Sequence, residues 1–176
     1  MSDPTAPGTT PDVVCRLARE PAELRGYFAL RREIFCLEQG LFDSDDRDVH
    51  DDSAYPIVCL HGARVIGVVR VWETAAGDWW GGRLGVDAEF RPAAVVGRRL
   101  VQTAVGTARA WGALRFRATV QRANVAFFRR LRWRTLEEIE LLGQSHHLME
   151  ADLSWYAPTT EKRPTADSFR GARHAA

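Results

Sequence analysis

Lysine is all but missing from this chain. Lys162 is the only one, so nearly all of the positive charge is arginine, a bias we read as base composition rather than a partner's demand. The 24 basic residues stand against 23 acidic ones, a formal net charge of +1, which gives no overall attraction to nucleic acid or to an anionic membrane. Cysteine is scarce: Cys15, Cys36 and Cys59 are odd in number and show none of the close spacing of zinc or redox motifs, so reduced thiols are expected. No apolar run reaches the roughly 18 residues of a membrane span. The start, "MSDPTAPGTTPD", lacks the charged and apolar regions of a secretory signal. The expectation is a cytoplasmic protein without membrane or nucleic-acid partners. Internal repeats are absent, and 176 residues with 45% hydrophobic content suit one domain with one good core.

The two ends read as disordered tails. Residues 1–11 are proline-rich and small, and residues 157–176 lack apolar periodicity, leaving 12–156 as the folded unit. Within it, strand and helix signals alternate. "VVCRLAR" alternates Val13, Cys15 and Leu17 as a first strand. Pro21 opens a helix whose apolar stripe runs through Leu24, Tyr27, Phe28, Ile34 and Phe35. After an acidic loop, "AYPIVCLHGARVIGVVRVWE" reads as two strands turning at Gly62, and "WWGGRLGV" as a fourth. From Gly97 a helix carries Leu100, Val101, Ala104, Val105, Ala108 and Trp111 on one face, with Gly112 as its C-terminal cap. "LRFRATVQ" is a core strand, "NVAFFRRLRW" a short helix, and "TLEEIELL" and "LMEADLSW" close the chain as strands. The fold class expected is α/β (α+β), a mixed, mostly antiparallel sheet flanked by helices.

Between the fourth strand and the long helix lies "EFRPAAVVGRRL". A helix N-terminus presents unpaired N–H groups and about half a positive charge, which suits a pyrophosphate. Small residues at Ala93, Ala94 and Gly97 admit a close backbone approach, and Arg98 and Arg99 add mobile charge or form a solvated helix face.

With this order of elements, the sequence resembles the GNAT superfamily of acyl-CoA N-acyltransferases over essentially the whole folded unit. The family's loop has Arg or Gln, two residues, Gly, one residue, then Gly or Ala. Here Arg91 begins "RPAAVVG"; Ala94 stands at the first glycine, Val96 at the second, and Gly97 one residue beyond, an apparent one-residue insertion. The resemblance implies that Leu84, Gly85 and Val86, at the splayed end of the fourth strand, pair with the pantetheine arm of acetyl-CoA or another acyl-CoA. "ANVAFFRRLRW" is similar to the family's "AxxFYxxxGF" helix, with Asn124 either bonding CoA or capping the helix. Phe128 stands where many members have the tyrosine that protonates the leaving thiolate. "LRREIFCLEQ" resembles the "RxxVFxxEQ" helix of a branch related to acyl-homoserine lactone synthases, implying that Arg32, Phe35, Glu38 and Gln39 shape the acceptor side. Taken whole, the chain is similar to a bacterial subgroup found beside nitrilase and other genes of nitrogen starvation.

Acyl transfer to an amine needs a base to take its proton and donors to polarise the carbonyl. Glu38, near Phe35, Leu37 and Leu41, is the first candidate base, with an ion pair to Arg31 or Arg32 as the alternative. His147 and Glu150, with His146, are further catalytic candidates, the histidines either relaying a proton, binding an acceptor carboxylate or merely occupying a turn. Asp48, Asp51 and Asp52 either recognise a cationic acceptor or are solvated, and Cys36 is read as a buried, inert thiol. No metal is expected, because "DSDDRDVHDD" lacks the glycine and terminal glutamate of a calcium loop. Trp79, Trp80, Trp133 and Trp155 either form a homodimer surface or fill core.

The function expected is N-acetyl transfer from acetyl-CoA to an amine on a small molecule. The alternatives are a weakly catalytic CoA-binding regulatory module and an autoinducer-synthase-like acyltransferase.

Overall fold

The computed structural model describes residues 12–92 and 94–165. Its seven strands are β1 (Val13–Leu17), β2 (Tyr55–His61), β3 (Arg64–Ala75), β4 (Asp78–Val86), β5 (Arg115–Gln121), β6 (Trp133–Leu141) and β7 (Gln144–Ala151). They form one sheet in the order β1-β2-β3-β4-β5-β7-β6, in which only β4 and β5 run parallel. The helices are α1 (Pro21–Arg31), α2 (Val95–Ala110) and α3 (Val125–Arg130). Among the described residues no helix is long and apolar enough to cross a membrane.

Glu20 and Glu23 form a capping box at the start of α1, with Pro21 at its first position. The helix then widens into a π-helical segment, Arg32–Glu38, in which Gln39 N–H reaches back to Ile34 O at 3.0 Å. Tyr27, Leu30, Ile34 and Phe35 pack on Val58, Leu60 and Val68 on one face of the sheet. On the other face α2 buries Leu100, Val101, Ala104, Val105 and Ala108 against Ile57, Ile66, Val69, Val71 and Phe116. The helix comes this close because Gly67 has no side chain: a Cβ there would lie 2.8 Å from Val96 Cγ1 and 2.9 Å from Leu100 Cδ1.

Three expectations change. Cys15 and Cys59 face each other in register across β1 and β2, Cα atoms 4.0 Å apart, and are joined as a disulfide, so only Cys36 remains a thiol. Cys36 is buried, and burial pushes its pKa up. The second change concerns the C-terminal segment. Residues 157–163, read as tail, lie along α2: Thr159 N–H bonds Gly106 O at 3.1 Å, Trp111 Nε1 bonds Glu161 O at 2.7 Å, and Arg163 pairs with Glu73 at 2.7 Å. Residues 1–11 and 166–176 lie outside the described residues. Third, β7 begins four residues earlier than "LMEADLSW" suggests and ends at Ala151, with Leu153–Trp155 forming a 3-10 turn. Trp79 and Trp133 are core, Trp80 is half-buried and Trp155 is exposed.

Candidate active site

β4 and β5 pair at only three positions, Asp78↔Arg115, Trp79↔Phe116 and Trp80↔Arg117, and then part. The parting begins at Gly81 and Gly82, beside a bulge in β4: Val68 pairs with Gly85 but Arg70 with Gly82, so β4 carries one extra residue, and Arg83 adopts φ 52°. The result is a cavity of about 730 Å³. Its walls come from both faces of the sheet, Val101, Ala104 and Phe128 on the α2 side and Arg70, Trp80 and His146 on the α1 side, which requires that two strands separate between them.

On the α2 side, the turn before the helix puts Ala94 at φ 53°, and the first intrahelical bond runs from Arg98 N–H to Ala94 O at 3.1 Å. The N–H groups of Val95, Val96 and Gly97 therefore precede the ladder, as at any helix start. The helix begins at Val95, two residues earlier than expected. Val96 and Gly97 are buried, the former against Gly67 and the latter facing Phe127 and Val86; Ala93 lies outside the described residues. The Arg98 side chain is exposed and makes no hydrogen bond or ion pair among the described residues. Arg99 instead donates to the Val13 carbonyl of β1. Arg91 ties the loop down, donating to Val86 O and to Glu38 Oε2, both at 2.7 Å. Of Leu84, Gly85 and Val86, Leu84 lines the cavity, while Gly85 packs on Ile34. Asn124 lines the cavity and its side chain makes no capping bond to α3, in contrast to the capping alternative. Phe128 lines it too, its ring edge-on to Trp133 at 5.0 Å. All three tyrosines lie elsewhere: Tyr27 bonds Arg31, Tyr55 bonds Arg163 and Tyr156 bonds Leu131 O.

The α1 side differs from the sequence picture in several respects. Glu38 is the partner of Arg91, not of Arg31 or Arg32, and Leu37 turns outward at 66% exposure, so Leu37 adds nothing to the apolar surround expected of Glu38. Arg32 is exposed; Arg31 is the buried arginine of the helix. Gln39 reaches across the cleft to Gln121 at 3.1 Å. His146 and His147 lie on strand β7, not in a turn, and point to opposite faces. His147 bonds Thr135 at 3.0 Å and shares its side of the sheet with Met149 and Ala151. His146 lines the cavity, with Nδ1 2.9 Å from Gln144 O. A carbonyl only accepts, so Nδ1 carries a proton and, in the neutral ring, Nε2 is the accepting nitrogen. Glu150 is outside the cavity, held by Arg134 at 2.7 Å.

The acidic loop is neither a solvated patch nor an open cation site at Asp48 and Asp51. Arg31, fully buried, bonds Asp46 at 2.7 Å and Asp51 at 2.6 Å; Arg70 bonds both oxygens of Asp48 and approaches Asp51 at 2.8 Å; Arg83 bonds Asp46 at 3.0 Å. Burial pushes the Asp51 carboxyl up, but the bonds from Arg31 and the charge of Arg70 outweigh it and hold the pKa well below the usual range. Asp48 shifts the same way, burial opposing and Arg70 prevailing. Asp52 takes no part in this network among the described residues.

The architecture is a mixed α/β fold whose mostly antiparallel sheet opens between its two parallel strands. Residues 21–132 match the model of the acetyltransferase (GNAT) family, and the chain belongs to that family. Solved structures agree on the fold. A candidate N-acetyltransferase from Lactobacillus plantarum is 21% identical with a TM-score of 0.73, over 80% of this chain and 98% of that one. An acyl-CoA N-acyltransferase from Pseudomonas aeruginosa is 18% identical with a TM-score of 0.64, over 80% and 98%. The AHL synthase LasI is 11% identical with a TM-score of 0.68, over 86% and 98%. No curated protein matches the sequence.

Proposed function

We propose that this protein transfers an acyl group, acetyl first among them, from acyl-CoA to the amine of a small molecule. The observation that carries this reading is the cavity where β4 and β5 part, lined by the middle of α2, Val101 and Ala104, on one side and by His146 on the other. The residues present fit such a co-substrate. The first-turn amides of α2 and the unpaired Arg98 suit its phosphates, the bulged end of β4 suits its pantetheine, and Asn124 has a free side chain aimed at the same space. Bound acyl-CoA supplies the activated thioester. The chain's own part is to orient the acceptor and remove its proton, for which His146 Nε2 is better placed than Glu38, His147 or Glu150.

Thermal denaturation with acetyl-CoA, CoA and S-adenosylmethionine tests this, together with thiol release on an amine panel. Acetyl-CoA is expected to raise the midpoint of the native protein and to raise that of Arg98→Glu far less. No shift with any CoA species would remove the reading, and stabilisation by S-adenosylmethionine would favour the autoinducer-synthase alternative.

A CoA-binding module without turnover is the second reading. It is favoured by Phe128 and by the absence of any tyrosine from the cavity lining. Binding without thiol release on any amine would select it. The finer kinship with the nitrogen-starvation subgroup is part of this proposal and rests on the resemblance of the sequence taken whole.

A further inference from the structure

We infer that the acceptor carries a carboxylate beside its amine, as an α-amino acid does, and that Arg117 receives that carboxylate. This deepens the acyltransferase reading and rests on it.

The α1 side of the cavity is walled by aromatic rings, which by themselves suit a cationic amine. Here each ring is already covered by a guanidinium: Arg117 lies over Trp80 at 4.4 Å, Arg70 over Trp72 at 5.1 Å, and Arg83 over Phe42 at 4.6 Å. The ligand therefore meets arginine where a cation-binding cage would offer bare rings. The acids do not offset this. Of the carboxylate and guanidinium groups that line the cavity, Arg70, Arg83 and Arg117 exceed Asp48 and Asp78 by one positive charge.

That surplus is available at Arg117. Its Nη2 holds both oxygens of Asp78 at 2.8 Å, but its Nη1 has no partner among the described residues and is not sealed from the cavity that the side chain lines. Arg83 Nη1 is unpartnered in the same way. Three more donors in this wall, Arg70 Nε, Arg117 Nε and Trp72 Nε1, are enclosed without an acceptor, and Trp72 is only 8% exposed. A wall with donors to spare and every carboxylate engaged is built for an acceptor atom with negative charge. His146, paired in register with Gln121 two positions further along the same face of β5 from Thr119, lines the same space as a base.

The test is calorimetric binding, with acetyl-CoA present, of the common α-amino acids against their carboxamides, 2-phenylethylamine and spermidine, with thiol release measured on the same panel. At least one free amino acid is expected to bind ten or more times tighter than its amide. In Arg117→Gln that preference should disappear while acetyl-CoA affinity stays the same, and Arg117→Lys should restore part of it. If amides, 2-phenylethylamine or spermidine bind as well as any amino acid, the inference is overturned and the acyltransferase reading stands. An amino acid that binds selectively without thiol release supports the recognition and overturns the transfer. If the Arg117 variants do not fold, the comparison of acids with amides in the unmodified protein still decides.

Discussion

Arg31 Nη1 lies 2.6 Å from Asp51 Oδ1, and the two side chains are 0% and 11% exposed, so the long N-terminal helix and the loop over the cleft are joined by a buried ion pair. Breaking an isolated buried pair costs about 3–5 kcal/mol, but Arg31 keeps Asp46 and Arg70 keeps Asp48 when Asp51 is lost. Asp51→Asn is therefore expected to lose less than that in urea unfolding, and to loosen the loop at residues 43–54 in hydrogen exchange.

The same pair sets a pH dependence. Asp48 and Asp51 both titrate below their unfolded values, so their contribution is complete above roughly pH 4 and is lost as pH falls from there through the folded values. The unfolding midpoint is expected to drop on acidification below that point, and to drop less steeply in Asp51→Asn. Equal slopes for the two proteins would show that other carboxyls govern the acid limb.

Cys15 and Cys59 close a segment of 44 residues, and releasing such a link costs about 2–4 kcal/mol. Alkylation of the denatured, unreduced protein is expected to modify one cysteine, Cys36, and alkylation after reduction all three. Reduction should also lower the melting temperature.

Gly67 is the point at which α2 rests on β3. Gly67→Ala sets a methyl group against Val96 and Leu100 and is expected to cost about 1–3 kcal/mol while weakening acetyl-CoA binding, because the same helix start carries the free amides. Unchanged affinity in a destabilised variant would separate packing from cofactor recognition.

His146→Gln keeps the size of the side chain and removes the base. The expected result is a fall in kcat of about a hundredfold with acetyl-CoA affinity retained. His147→Gln, on the other face, is expected to alter stability through Thr135 and to leave kcat within a few-fold.

The order of elements, the turn at Gly62, the apolar face of α2 and the family were legible in the sequence, because each is a local pattern: alternation on strands, a stripe of period 3.6 on helices, a motif at a strand-helix junction. The histidine assignment was half legible. Met149 and Ala151 share one face, and carrying that alternation back two residues puts His147 with them and His146 opposite, but only if β7 is known to begin at Gln144. What a side chain meets across the fold was decided by tertiary structure alone. The acidic run gave no sign that Arg31, Arg70 and Arg83, from three separate elements, would neutralise it, and Glu38 found Arg91, 53 positions away. Cys15 and Cys59 carry no spacing signature and meet because the β1–β2 register puts them opposite. Local propensity fixes which face a residue occupies on its own element; charge pairing, disulfide partners and the walls of a cleft depend on which faces are brought together, and that is set by the packing of the whole sheet and its helices.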